Sequence, residues 1–244
     1  MSRTVSRRLF LAATAGTLAV PSRSWSAQTQ QADDDDEVPA LLDHIILGCN
    51  DLDRGIDFVK EATGVRAKLG GVHPGRGTRN ALLSLGERRY LEIIAPDSSQ
   101  GSIVHFPQIL GMTEPRLIGW AAHPGDLDAL AKKIRAAGVA FEGPTPGSRA
   151  RPDGTVLNWK TINLADDRHG LLPFFIEWSA DTEHPSKDAS AHATLEYFQI
   201  MSADPDELSS TFKKMGLDLA VQRSDKPRLR ALISGPKGDL GLST

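Results

Sequence analysis

The chain has 244 residues, and its 28 Lys and Arg nearly balance 31 Asp and Glu, for a formal net charge of −3. That balance, without a dense basic face, argues against a nucleic-acid partner, and the 40% hydrophobic content is that of an ordinary globular protein able to bury a real core. A single cysteine, Cys49, excludes an internal disulfide, so it reads as small core filler beside the first strand.

In chain order, Ser6-Arg7-Arg8-Leu9-Phe10-Leu11 is a twin-arginine pattern, followed by an apolar run from Leu9 to Val20. The run is too short to span a bilayer and has the size of a signal h-region. Residues 1–27 are therefore expected to be a twin-arginine signal peptide, leaving a periplasmic or extracellular protein with no membrane attachment. Trp25 fits poorly in the small-residue stretch Ser24–Ala27 where cleavage would fall. Residues 28–40, with the acidic run Asp33–Glu37, read as a solvated linker.

Three helix signals follow. Each opens on aspartate, carries an apolar stripe at helical spacing, and stops at a glycine, where a left-handed residue is needed. The first runs from Asp51 through Leu52, Ile56 and Val59 to Gly64; the second from Asp126 through Leu127, Leu130 and Ile134 to Gly138; the third from Asp204 through Leu208, Phe212 and Met215 to Gly216. Their starts are 75 and 78 residues apart. Strand-like runs precede each helix at Asp43–Cys49, Leu117–Ala122 and Thr194–Met201. Further strand candidates follow, among them Ala67–Gly71, Asn80–Leu85, Arg89–Ala95, Val156–Leu164, Pro173–Trp178, Leu219–Arg223 and Arg228–Ser234. The pattern predicts an α+β fold of βαβββ modules, with residues 190–244 as a third, partial module. A one-sided sheet of this size must close against another copy.

The runs Leu42-Asp43-His44-Ile45-Ile46-Leu47-Gly48, Gly77–Gly86, Tyr90–Asp97 and Leu172–Trp178, taken with this module order, resemble the vicinal oxygen chelate superfamily, and within it the glyoxalase-like domain proteins. The resemblance covers residues 41–181. It implies two modules curled into a U-shaped open barrel, with a divalent metal of unspecified identity, or none, at the bottom. The first-strand histidine and last-strand glutamate of each module would then be ligands. It implies a lyase, isomerase or dioxygenase type of enzyme acting on a small oxygenated molecule, or else a metal-free small-molecule binder of the same fold. A homodimer is expected if the third module completes a barrel across two copies; a scaffold for protein partners is a weaker reading.

On the residues' own terms, His44, Glu92 and Glu177 each sit in an apolar strand, and a buried carboxylate needs a partner. One imidazole and two carboxylates make a reasonable shell for a divalent cation, and Glu92 or Glu177 could leave it to act as a base. The plainer alternative makes His44 a hydrogen-bonded core histidine and pairs each glutamate with an arginine such as Arg76, Arg79 or Arg88. Where a second histidine should stand, the helix spacing places Gly119, with Trp120 beside it. The glycine-rich segment Gly70–Asn80 brings His73, Arg76, Arg79 and Asn80 near the cup. Of these, Arg79 and Asn80 are expected to touch substrate, with Trp120 as a wall of the pocket.

Overall fold

The computed structural model describes residues 38–187 and 189–244. The leader and all but the last residues of the acidic linker lie outside the described residues. The first module is β1 (Leu42–Gly48), α1 (Leu52–Thr63), β2 (Lys68–His73), β3 (Thr78–Ser84) and β4 (Tyr90–Pro96). The second is β5 (Arg116–Ala122), α2 (Leu127–Ala136), β6 (Phe141–Ala150), β7 (Val156–Leu164) and β8 (Phe174–Trp178). The last stretch is β9 (Thr194–Ser202), α3 (Pro205–Lys214), β10 (Gln222–Arg223), β11 (Arg228–Gly235) and β12 (Gly238–Ser243).

The caps explain why the helices start and stop where they do. Asp51, Asp126 and Asp204 accept from the backbone N–H of Arg54, Ala129 and Glu207, satisfying one orphan donor at each N-terminus. Gly64, Gly138 and Gly216 then take left-handed φ values of 81°, 72° and 78°, which a side chain would disfavour. Leu52, Ile56 and Val59 of α1, and Leu127, Leu130 and Ile134 of α2, are buried against the sheet. Among the described residues no helix is long and apolar enough to cross a membrane.

The first two modules form one eight-stranded sheet, ordered β2-β3-β4-β1-β5-β8-β7-β6. β1 runs parallel to β4 and β5 parallel to β8, while β1 and β5 join antiparallel at the centre, so the two halves mirror each other. The sheet curls until its outer strands meet. Arg149 on β6 donates to the Gly70 carbonyl of β2, and a Cβ on Gly71 would lie 2.6 Å from the Ala150 oxygen. Only a bare backbone permits that approach.

Strand β6 has no counterpart in the sequence reading, because Gly143, Pro144, Pro146 and Gly147 signal a loop. It survives as a strand because it lies at the edge, paired only to β7, with the register slipping between Glu142 and Thr145 around the first proline. The last stretch keeps the order strand, helix, three strands but pairs them differently. Its sheet is β10-β9-β11-β12, so β9 lies between β10 and β11 instead of pairing with the final strand as β1 and β5 do. Leu195, Phe198 and Ile200 of β9 and Phe212 of α3 share the main core with Ile56 of α1 and Trp120 of β5.

Candidate functional site

The concave face of the sheet encloses a cavity of about 830 Å³. Strand alternation decides which side chains enter it. On β1 these are His44 and Ile46, on β4 Tyr90, Glu92 and Ile94, on β3 Thr78 and Asn80, on β2 His73, and on β8 Phe174, Ile176 and Trp178.

The polar wall is a connected chain of groups built around one irregularity. β1 is bulged between Leu42 and His44, whose partners on β5 are the adjacent Ala122 and Ala121. The extra residue is Asp43, and a bulge re-aims a side chain in this way. The Asp43 carboxylate is fully buried and takes three donors: Nδ1–H of His44 at 2.7 Å, the indole N–H of Trp178 at 3.1 Å, and Nε2–H of His184 at 3.2 Å. Burial pushes this carboxyl up, but hydrogen bonds from His184 and His44 outweigh it and hold the group well below the usual carboxylate range. An anionic Asp43 can only accept, so the Nδ1 of His44 carries hydrogen and its Nε2 points at Glu92. The ring is held flat on Tyr90, with centroids 4.4 Å apart, and edge-on to Phe174.

Glu92 lies between two imidazoles. Its Oε2 is 3.5 Å from Nε2 of His44, and its Oε1 is 3.4 Å from Nε2 of His73. The Asn80 amide donates to Oε1 at 2.6 Å and also reaches Nε2 of His73 at 3.2 Å. Burial pushes the Glu92 carboxyl up; the imidazoles of His73 and His44, the Asn80 amide and Arg149 together draw it below the usual glutamate range. Burial also pulls His73 down to about 4, with Arg149, Arg76 and His44 adding to the fall against Glu92. His73 is therefore neutral at pH 7. Since an amide N–H can only donate, Nε2 of His73 is the acceptor, and its Nδ1–H donates to Thr78 Oγ1 at 2.8 Å.

A divalent cation fits this set poorly. His44 approaches one oxygen of Glu92 and His73 the other, so the two imidazoles reach different oxygens of the carboxylate, and the Asn80 amide donates to one of them. Among the described residues no three His, Cys, Asp or Glu side chains are placed to hold one ion.

His44, Glu92 and Asn80, chosen from sequence, thus come together. The others do not. Glu177 follows Ile176 on β8 and points to the helix side, where its Oε2 accepts from the Leu127 N–H at 2.8 Å at the N-terminus of α2. It is an anionic cap on that helix, not a ligand in the cup. Phe174 lies opposite Ala121 as Glu92 lies opposite Ile46, so the second module presents a phenyl ring where the first presents its carboxylate. Arg79 alternates with Asn80 and is exposed on the outer face. Trp120 borders the cavity but belongs to the core: it is 1% exposed, its indole N–H donates to the Leu171 carbonyl at 3.0 Å, and its ring packs on Phe198. Sequence reasoning passed over Asp43, although it precedes His44 in an otherwise apolar strand. It placed His73 near the cup but did not choose it for the site. Arg149 and His184 arrive from distant segments with no local signal.

Comparison with solved structures finds similarity to a hypothetical protein from Staphylococcus aureus, at 20% identity over 83% of this chain and 84% of that one, with a TM-score of 0.58. Methylmalonyl-CoA epimerase from Mycobacterium tuberculosis matches at 22% identity over 58% of this chain and 88% of that one, with a TM-score of 0.41. The Streptomyces coelicolor epimerase in complex with 2-nitronate-propionyl-CoA matches at 24% over 60% and 99%, with a TM-score of 0.43. Comparison with curated proteins gave no match. The model of one family, described as a glyoxalase-like domain, matches residues 42–216, spanning both modules and β9 with α3. The chain belongs to the glyoxalase-like domain family.

Proposed function

We propose that this chain is an enzyme of the glyoxalase-like class that moves a proton at a carbon next to an oxygen-bearing carbon of a small molecule, with Glu92 as proton acceptor and no metal ion. One observation carries the reading: an ionised carboxylate is buried in the cavity wall, 3.5 Å from an imidazole whose far nitrogen is held by a second carboxylate. In the step, the C–H bond breaks and Glu92 Oε2 takes the proton. The electron pair moves onto the carbonyl oxygen to give an enolate beside His44, and return of the proton to carbon completes an isomerisation or epimerisation. Asp43 orients His44 through its Nδ1–H, and the Asn80 amide, placed between His73 and Glu92, holds the carboxylate in place. The divalent ion implied by the resemblance has no part in this proposal, because Glu177 lies outside the cavity and the remaining donors do not converge.

A second reading, a binding protein of the same fold, is favoured by the lowered Glu92 carboxyl, since a carboxylate below its usual range is a weaker base. Solvent deuterium incorporation separates the two. Incubated in D2O with a panel of small ketones, hydroxyketones and 2-oxo esters, the wild type is expected to label the carbon beside the carbonyl of at least one compound, and Glu92→Gln to slow this by about 100-fold or more. Binding without labelling of any member would leave the binder.

A further inference from the structure

We propose, building on that reading of the site, that the substrate carries a bulky apolar body behind its oxygenated head, and that the apolar half of the cavity binds this body. β1 and β4 run parallel, so one pleat beyond His44 and Glu92 their next inward residues are Ile46 and Ile94, roughly 6–7 Å further along. The wall thus changes from polar to apolar within one step on both strands. Ile46 and Ile94 form, with Met112 and Ile118, a buried cluster separate from the main core, and Phe106 packs against it.

The space is kept open by Gly119. It lies opposite Ile46 on the central strand pair, and a Cβ there would find nothing nearer than Phe106 Cε1 at 3.8 Å and Ile46 Cδ1 at 3.9 Å. Its backbone angle is ordinary, so turn geometry does not require glycine. The bare position leaves a slot between the phenyl ring of Phe106 and the isoleucine. The volume agrees: about 830 Å³ lies in the upper part of the range that encloses drug-sized ligands, far beyond the needs of a three-carbon carbonyl compound. The ligand class is an aryl- or alkyl-substituted carbonyl compound, head at Glu92 and body over Gly119.

Calorimetric titration with α-hydroxyketones of constant head tests this: hydroxyacetone, 1-hydroxy-4-phenyl-2-butanone and 1-hydroxy-4-(2-naphthyl)-2-butanone. The wild type is expected to bind the phenyl compound at least about tenfold more tightly than hydroxyacetone, the gain that burial of a ring of that size provides. Gly119→Val should cancel the gain and leave hydroxyacetone unchanged; Phe106→Ala, which empties one wall without filling the slot, should reduce it severalfold. Equal affinity along the series, no binding of any member, or equal weakening of short and long compounds in both variants would overturn the proposal. Because binding is read without turnover, absence of deuterium exchange sinks proton transfer alone, and exchange without a length preference sinks the apolar subsite alone.

Discussion

His73 carries much of the pH dependence of this site. In the unfolded chain its imidazole titrates near 6.5, and in the fold burial brings it to about 4. Between those values the unfolded chain binds more protons, so stability rises with pH; the contribution is complete above about 6.5 and lost as pH falls through about 4. Its upper size is about 3 kcal/mol. Urea denaturation should show the wild type losing roughly that much more stability than His73→Gln between pH 7.5 and pH 4; parallel curves would mean that His73 is not buried in its neutral form. Asp43 is a positioning residue, since it touches His44 and not the reacting atoms. Asp43→Asn keeps the shape but lets an amide face Nδ1, so the His44 tautomer is no longer imposed. Deuterium exchange is expected to fall by roughly 100-fold with an altered pH profile while ligand affinity is retained. A loss of stability with exchange and its pH profile intact would assign Asp43 a structural role only.

At the scale of elements, Glu177 gives the sharpest contrast with Glu92. Both are glutamates on the last strand of a module, yet one faces the cavity and the other the start of α2, because one residue of register exchanges the faces of a strand. Glu177→Ala should cost about 1 kcal/mol, as loss of an anionic helix cap does, with exchange unchanged in the same preparation. Exchange lost with no change in stability would return Glu177 to the site. The same pair shows what a sequence can convey. The three helices were legible because aspartate, apolar spacing and glycine are local signals, each answering a backbone group that must be satisfied or a φ that must be positive. Asn80, Glu92 and His44 were legible because polar groups in apolar strands need partners. Strand β6 was hidden by its prolines, which an edge tolerates. The face of Glu177 was hidden because alternation fixes a side chain's face only once the strand's first inward residue is known.

At the scale of the molecule, the first two modules are near copies in pairing and unlike in chemistry. Where the first offers His44 and Glu92, the second offers Gly119 and Phe174, so the facing imidazole and carboxylate stand in one half of the duplicated barrel. A metal ion that needed equivalent ligands from both halves would find them in the first half alone. What remains is a carboxylate among imidazoles, with Arg149 reaching across from the other arm to close the seam at Gly70. The most direct measurement is the rate of solvent deuterium incorporation into a labelled carbonyl compound by wild type and Glu92→Gln, each with and without exhaustive EDTA treatment. Metal-independent proton transfer by Glu92 predicts labelling by the wild type at the same rate before and after chelation, and at least about 100-fold slower labelling by Glu92→Gln in both. Labelling that stops on chelation and returns with a divalent ion, or that survives in Glu92→Gln, would contradict it.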